Sequence, residues 1–475
     1  MREKKTTTTP PLQDDVRVFV PLASFKGAVK TRLDRAWPSA RQTYKFGWDE
    51  EGELRSLRER AIHLDHTNVL ARTLIDRTVD NVIGDGIQVQ AATDDEDWNT
   101  LAEALFNEWA EESADARRLD TWSDLQRLYC RHFVRDGDAA FVLRDDGSLQ
   151  LPEPRLLETP PKLSGDMNVI SGVHLVGEEG VPAAFHFYAG SPNKYTEVQA
   201  RDVVYSRRTT EAGLTRGVPA FATTARDLDQ VDGLIEAVIS AAEMAAMFGL
   251  LLKTDNAQAE LGALRTVVQT SAGQKRELKL EPGMFKALLP HEDVTQISPQ
   301  QPSQNLQEFL TMMFRRIGLE FGMPLELVML DFSKTNYSSA RASLLQSYRV
   351  FRAIQKRMMH AFKRVYRWRI SKFIKAKALA NRPDAWLCRM IPPGWQWVDP
   401  VKEAQAMLMG LDGGWNTLAE ICASQGRDLG DVLKQRKREL AMMEDAGVAQ
   451  LHSTLTREHG PTAAAVSVED EDDEV

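Results

Sequence analysis

Cysteines are few in this sequence, and long apolar runs and a secretory leader are lacking. Its three cysteines, Cys130, Cys388 and Cys422, lie too far apart in sequence for a metal knuckle or a disulfide framework, which fits a reducing compartment. The most apolar run, Ala237 to Leu252, is shorter than a membrane span and contains Glu243, so it indicates a buried protein helix. We therefore expect no membrane partner, and the polar N-terminal segment is not expected to be a signal peptide.

Catalytic motifs are lacking as well. The sequence has no Gly-rich phosphate loop followed by Lys and no nucleophile elbow. His63 and His66 lie one helical turn apart without a third ligand, so a surface or core pair is the simpler interpretation. His132, Asp136 and Asp138 could form a nuclease-like cluster around a divalent ion, although Asp-Gly-Asp is more simply a turn before a strand. We predict no enzyme, catalytic residue, cofactor or metal site, and keep a metal-dependent DNA-processing enzyme as the alternative.

Acidic residues are absent from the most unusual segment of the chain. From Phe332 to Pro383 there are fourteen Lys or Arg and no Asp or Glu, in a chain of 475 residues with a formal net charge of −9. Conversely, Asp94 to Asp124 holds eleven acids against Arg117 and Arg118. Charge is segregated along the chain, and the basic segment must face acidic protein, nucleic acid or both.

The number of cations helps to decide between these partners. If all fourteen faced a duplex, the salt dependence of binding would have a slope of order −10 per chain, which suits a static clamp and not sliding DNA. We therefore expect most of them to meet acidic protein, with Asp94–Asp124 as the candidate complement. A helix N-terminus favours phosphate. The residues expected near nucleic acid are thus those of the preceding loop and the helix start: Lys334, Thr335, Asn336, Tyr337, Ser338 and Arg341.

Apolar periodicity predicts an α+β, predominantly helical protein. Spacings of three and four residues predict helices from Glu51 to Ile83, with a break near residues 66–68, from Asp94 onward, and from Trp122 to Val134. Alternating patterns predict strands at 87–90, 140–143, 148–151, 170–175, 183–188 and 203–205. At this length the chain can bury several cores.

Two further helices, Ala225–Lys253 and Ser303–Phe321, are predicted to flank a small β tip. The tip contains three short alternating runs, at 277–280, 285–288 and 294–297. The first helix carries small residues at four-residue spacing, namely Ala237, Ala241, Ala245 and Gly249. The simpler explanation of that row is a core helix, and the more specific explanation is a helix packed against copies of itself.

The basic segment itself is predicted to be a helix that starts near Ser338 or Ser339 and runs for about 60 Å. Its apolar residues fall seven apart, at Leu344, Phe351, Met358 and Val365, so this stripe packs and the cations take the other faces. Three helices follow between 399 and 447, and the six consecutive acids at 469–474 should form a solvated tail.

Three segments carry a resemblance to the portal proteins of tailed bacteriophages, in particular the lambda-type family. They are HTNV at 66–69 with VDNVIGDGI at 79–87, DFSKTNYSSAR at 331–341, and WVDPVKEA at 397–404, followed by Gly426-Arg427-Asp428 and Glu439. Each alone is modest, but this order and spacing are specific. The resemblance covers about residues 35 to 450.

The resemblance implies a homo-oligomeric ring, usually dodecameric, at a unique capsid vertex. Double-stranded DNA is packaged and ejected through such a ring, which serves as the head-tail connector. The implied partners are terminase, head-completion or tail adaptor proteins and the major capsid protein. The implied location is the virion, with host cytoplasm during assembly. ATP hydrolysis belongs to the terminase in this family, which is consistent with the absence of a nucleotide loop.

The resemblance also divides the chain into regions. The expected regions are a flexible N-terminal arm (1–35), an α+β wing body (36–224), a first stem helix (225–253), a clip with short strands (254–302), a second stem helix (303–322), a tunnel loop (323–339), a long basic wing helix (340–382), a connector and helical crown (383–460) and an acidic disordered tail (461–475). Lys279, Phe285 and Lys286 are the candidate clip residues for terminase docking.

Overall fold

Helices predominate in the computed structural model, which describes residues 50–177, 179–191, 193–210, 214–247, 251–253, 286–288, 306–333, 336–395 and 400–445. The helices are α1 (Glu50–Thr67), α2 (Val69–Val82), α3 (Glu96–Glu112), α4 (Trp122–Arg135), α5 (Ala225–Met247), α6 (Leu306–Glu320), α7 (Leu325–Met329), α8 (Tyr337–Lys375), α9 (Pro400–Asp412), α10 (Leu418–Ser424) and α11 (Leu429–Asp445). The strands are β1 (Gln88–Ala91), β2 (Asp138–Leu143), β3 (Leu149–Gln150), β4 (Val169–Ile170), β5 (Val173–Val176), β6 (Val181–Tyr188), β7 (Tyr195–Gln199), β8 (Val203–Arg207), β9 (Leu251–Lys253), β10 (Lys286–Leu288) and β11 (Cys388–Ile391).

The helix boundaries of the body follow from local capping. The predicted break near residue 68 is confirmed, because the Asn68 side chain accepts a hydrogen bond from Ala71 N at 2.7 Å and starts α2. Thr121 and Asp124 form a reciprocal capping box at the start of α4. The three predicted C-terminal helices are confirmed as α9, α10 and α11.

Two sheets complete the body. The predicted hairpin is confirmed as β2 and β3, with Leu143 opposite Leu149, and β8 pairs antiparallel on the other side of β2. The second sheet has the order β4-β5-β6-β7. Strand β7 was not predicted, because its residues are mostly exposed and show no regular alternation. Its backbone is held by pairing with β6.

α8 runs through the main core, as its stripe predicted. Phe351, Met358 and Val365 are buried, and Leu344 is partly buried. Phe362 packs against Trp122 on α4, with ring centroids 5.2 Å apart. The basic helix is therefore an integral part of the body.

The first stem helix is shorter than predicted. The predicted helix ended at Lys253, whereas α5 ends at Met247 and residues 251–253 form β9, paired in parallel with β10. A short apolar run has the same appearance in a helix and in a strand, and here backbone pairing with Lys286–Leu288 decides for the strand. The other two strands predicted for the tip, the N-terminal arm and the acidic tail lie outside the described residues.

None of the helices in the described ranges has both the length and the apolar character needed to cross a bilayer.

Candidate functional site

The candidate channel segment lies between α6 and α8 and begins with a tight turn at Gly322. This residue has φ of +62°, and a Cβ placed on it would lie 2.6 Å from Val350 Cγ2 of α8. Glycine is required on both counts, because side-chain-bearing residues disfavour this φ and no room exists for a methyl group. The turn brings the segment back against α8.

The segment then presents apolar side chains to solvent. After the short helix α7, Leu330 adopts a left-handed conformation with φ of 53°, and the Asp331 carboxylate accepts a hydrogen bond from Ser333 N at 3.0 Å. Met329, Leu330 and Phe332 are all exposed. Exposed apolar clusters of this kind mark interaction surfaces.

The predicted DNA-facing residues converge on the start of α8. Asn336 is the N-cap, its side chain accepting from Ser339 N at 2.9 Å, so the helix begins slightly earlier than Ser338 or Ser339 would set it. Ser338 is exposed and Arg341 partly buried in the first turns, which contain no acid. Lys334 and Thr335 lie outside the described residues, as does the side chain of Tyr337.

The two described members of the small-residue row of α5 are not part of the core. Ala237 is exposed and Ala241 partly buried, and between Gly233 and Glu243 no residue of α5 is buried. The side chain of Ala245 and all of Gly249 lie outside the described residues. The core-helix explanation is therefore wrong for this stretch of α5.

Both stem helices carry exposed apolar residues, and of these the sequence argument singled out only Phe309, as part of the apolar face of α6. They are Ile235 and Ile239 on α5, and Phe309, Met312 and Leu319 on α6. Met312 and Leu319 lie on the side of α6 away from the buried Ile317, and Phe309 lies between them and the buried Met313. The sequence did offer a sign of this surface, because the apolar residues of α6 cover more than one helix face.

Of the candidate clip residues, Lys286 is the first residue of β10. Lys279 and Phe285 lie outside the described residues.

Asp138 lies at the centre of a buried cluster of charges. Its carboxylate accepts hydrogen bonds from the Arg216 guanidinium, from Arg58 Nη2 at 3.3 Å and from the Tyr205 hydroxyl at 2.9 Å. Arg216 is fully buried and also donates to three backbone carbonyls, those of Pro154, Leu157 and Ser171. Burial would raise the pKa of Asp138, but the two guanidinium groups hold that pKa below its ordinary value. The cluster joins the hairpin sheet to the loops of the second sheet.

The other two residues of the nuclease-like hypothesis have structural contacts of their own. Arg135 donates to both carboxylate oxygens of Asp136, with Nη2 to Oδ2 at 2.9 Å. Burial raises the pKa of Asp136 to about 6 and lowers the pKa of His132 to about 3, so the imidazole is neutral. A metal ion would have to displace guanidinium groups from Asp136 and Asp138. Among the described residues no group of three or more His, Cys, Asp or Glu could hold a metal.

The cations of α8 do not behave as the charge argument predicted within one chain. Arg357 donates to the Arg207 carbonyl, and Arg369 lies over the Trp109 ring, 5.3 Å from its centroid. Lys372 contacts Asp145 at 3.5 Å. One of the fourteen cations does reach the expected acidic segment, because Arg382, which follows the end of α8, pairs with Asp95 at 2.8 Å.

Comparison with known proteins identifies the family to which the chain belongs. The sequence profile of phage portal proteins of the lambda family matches residues 31–355, which is more than half of the chain. The chain therefore belongs to the lambda family of phage portal proteins. Portal proteins are structural and not enzymatic.

Named relatives agree with the family. The chain is 23% identical to the probable portal protein of Halomonas phage phiHAP-1, over 98% of this chain and 95% of the relative. It is 22% identical to the portal protein of Escherichia phage N15, over 73% of this chain and 74% of that one. It is 21% identical to portal protein B of Escherichia phage lambda, over 63% of each chain.

Similar solved structures come from gene transfer agent (GTA) particles. A chain of the neck of the native GTA particle, computed with C12 symmetry, aligns with a TM-score of 0.45 and 14% identity, over 77% of this chain and 93% of that chain. A chain of the virion of the native particle aligns with the same TM-score and identity, over 79% of this chain and 93% of that chain.

Proposed function

We propose that the protein assembles into a closed homo-oligomeric ring that forms the channel for double-stranded DNA at the portal vertex. The observation that carries the proposal is the exposed apolar surface of the two stem helices. A water-facing helix normally has one apolar stripe against the core, yet Ile235, Ile239 and Ala237 of α5 are all exposed. Exposed apolar residues grouped in this way mark a surface that binds another protein surface.

A ring of identical subunits covers such a surface economically. Each α5–α6 pair offers the exposed residues of both helices, and the small residues Ala237 and Ala241 allow a neighbouring helix to approach closely. Head-to-tail contacts close into a ring when the rotation between subunits permits. Twelve subunits is the number that the family resemblance implies.

The DNA channel is proposed to be lined by the tunnel loop (323–339) and the start of α8. The first turn of α8 lacks acids, and Asn336 satisfies one of its N–H groups while others stay available for phosphate oxygens. Lys334 and Arg341 supply positive charge there. Few contacts per subunit keep the DNA mobile, since each phosphate contact steepens the salt dependence of binding.

The remaining regions follow the portal plan. The clip (254–302), with Lys279, Phe285 and Lys286, would dock terminase and later the head-completion proteins. Within the connector and crown (383–460), the crown from Trp395 onward would face the capsid interior, and the wing body (36–224) would contact the major capsid protein. Assembly would take place in the host cytoplasm.

Electron microscopy of the purified protein tests the ring directly. Class averages should show a closed ring with a central hole wide enough for a DNA duplex. Only monomers and dimers at several salt concentrations would contradict the proposal.

The channel loop has its own test. Lys334→Ala and Arg341→Ala should leave folding and ring formation intact but alter the length or retention of packaged DNA, because they remove charge near the DNA. Arg201→Ala, at a side chain that is 84% exposed on the wing body, is the matched control. Normal packaging by both channel variants would remove the loop assignment while leaving the ring in place.

A further inference from the structure

Six cations form one stripe on the outer side of α8. They are Arg349, Arg352, Lys356, Lys363, Arg364 and Arg367, exposed or partly exposed, and His360 lies among them. Successive residues of an α-helix are about 100° apart, so these positions share one side and lie opposite the buried Met358 and Val365. From Arg349 to Arg367 the basic stripe is about 27 Å long.

The basic stripe has no carboxylate partner in the part of the chain that the structure describes. Arg352 lies over the Trp395 ring, 5.4 Å from its centroid, and Arg349 and Arg367 make long hydrogen bonds to neutral oxygens. Six neighbouring cations repel one another unless acids or phosphates approach them. The stripe therefore indicates a partner.

An acidic face of similar length lies on α3. Asp97, Glu108 and Glu111 share the solvent side of this helix and have no cationic partner among the described residues. From Asp97 to Glu111 the acidic face is about 21 Å long.

A groove extends the acidic face toward α11. It has a volume of about 610 Å³ and is bounded by β1, α3, α4 and the start of α11. Its lining contains five acids and no Lys, Arg or His; the acids are Asp85, Glu103, Glu111, Asp428 and Asp431. The Trp122 indole N–H also lies at this groove, buried and without an acceptor among the described residues. Burial raises the pKa of Glu103, and Asp431 and Asp428 add to the effect, whereas the Ala91 N–H and Lys434 oppose it.

The basic stripe and the acidic face cannot meet within one chain. The inner side of α3 packs directly on the inner side of α8, with Phe106 5.6 Å from Tyr366 and Trp109 6.4 Å from Trp368 between ring centroids. Two helices packed inner side to inner side point their outer sides in opposite directions. The two charged surfaces thus lie on opposite sides of the subunit.

We infer that the basic stripe of one subunit binds the acidic face and groove of the next subunit in the ring. Oppositely charged surfaces on opposite sides of a subunit are what a head-to-tail contact requires, and a second copy of this chain supplies both. The inference rests on the proposed ring and assigns one of its contacts. Duplex DNA is the competing partner of the stripe, but it would leave the acidic face and groove unfilled.

Charge reversal on each surface tests the contact. The stripe variant carries Lys356→Glu, Lys363→Glu and Arg367→Glu, and the face variant carries Asp97→Lys, Glu108→Lys and Glu111→Lys. Each alone should lose rings in about 0.1 M salt, as measured by native mass spectrometry and electron microscopy. Circular dichroism should show both folded, because the substituted side chains are exposed or partly exposed.

Recombining the variants gives the sharper result. An equimolar mixture should restore rings in which the two variants alternate, so that the subunit number is even. The chain with all six substitutions should restore rings by itself, because the three new glutamates of the stripe then face the three new lysines of the acidic face. The control carries Lys162→Glu, Lys194→Glu and Arg201→Glu, three exposed cations of the second sheet and its flanking loops, and should form rings like the unaltered chain.

The experiment distinguishes a failure of the inferred contact from a failure of the proposed ring. Normal rings from both single-surface variants would overturn the inference while the proposed ring stands. Absence of rings from the unaltered chain would overturn the proposed function itself. Loss of rings that neither recombination restores, together with loss of duplex binding by the stripe variant alone, would assign the stripe to DNA and overturn the inference.

Discussion

Arg216→Met should destabilise the body more than any substitution of an exposed cation. Arg216 is fully buried and contributes hydrogen bonds to Asp138 and to the carbonyls of Pro154, Leu157 and Ser171. Methionine fills similar volume but leaves the carboxylate with less positive charge around it and the three carbonyls without this donor. The substitution therefore removes a charge and hydrogen-bond donors and leaves no large cavity.

The magnitude follows from what remains buried. Removing one partner of a buried ion pair costs about 3–5 kcal/mol. Arg58 and Tyr205 still contact Asp138, so the lower half of that range is expected for the charge alone. Each carbonyl left without a donor adds about 1 kcal/mol or more. Together these contributions predict a loss of about 6 kcal/mol in the free energy of unfolding.

Chemical denaturation monitored by circular dichroism measures this loss. Arg155→Met is the matched control, because Arg155 is 61% exposed and pairs with the exposed Glu153. An exposed pair of this kind contributes less than about 1 kcal/mol. Equal stability of the Arg216 and Arg155 variants would refute the view that the cluster holds the two sheets together.

Two further substitutions probe the channel segment and the buried histidine. Gly322→Ala should cost about 2–4 kcal/mol, because the methyl group meets Val350 and the residue keeps φ of +62°. Gly190→Ala is the control, because Gly190 has φ of +78° and open space around it, so only the backbone strain of about 1 kcal/mol is expected. Equal losses of stability in the two variants, measured by thermal unfolding, would rule out the clash with Val350. His132 has a folded pKa of about 3, below its unfolded value of about 6.5, so the unfolded state takes up the proton first and stability falls as pH drops below that value. Between pH 7 and 5 the titration of His132 should lower the free energy of unfolding by about 2 kcal/mol. The His132→Gln variant should therefore lose less stability over this range than the unaltered chain. Equal losses in the two proteins would contradict the prediction.

Features set by neighbouring residues were predictable from the sequence. The break at Asn68, the hairpin of β2 and β3, and the long helix after residue 336 follow from capping, turn chemistry and periodicity, which act over a few residues. The bounds of the segment between α6 and α8 followed in the same way, because a glycine stop and a cap delimit it.

Features that join distant segments were not predictable. β1 pairs with β11, which follows it by some 300 residues, and nothing in either strand specifies the other. The burial of Arg216 is likewise a product of three loops that meet around it. The periodicity of α5 gave the wrong environment for a related reason: an apolar face looks the same whether it is covered by its own core or by a neighbouring subunit.

The separation of charge explains why the basic stripe of one subunit should bind the acidic face of another subunit and not a second basic stripe. If two subunits approached through their basic stripes, six cations would face six, and the same repulsion holds for two acidic faces. Symmetric dimers through these surfaces are therefore disfavoured, and the remaining pairing, stripe to face, has a direction that can propagate around a ring.

The stem contact is apolar and the stripe contact ionic, so salt distinguishes them. Raising the ionic strength to about 1 M shortens the screening length to about 3 Å and weakens exposed ion pairs, whereas burial of Ile239 or Met312 does not depend on it. The stem helices are thus the part of the proposed ring that should hold when the charged contact is weakened.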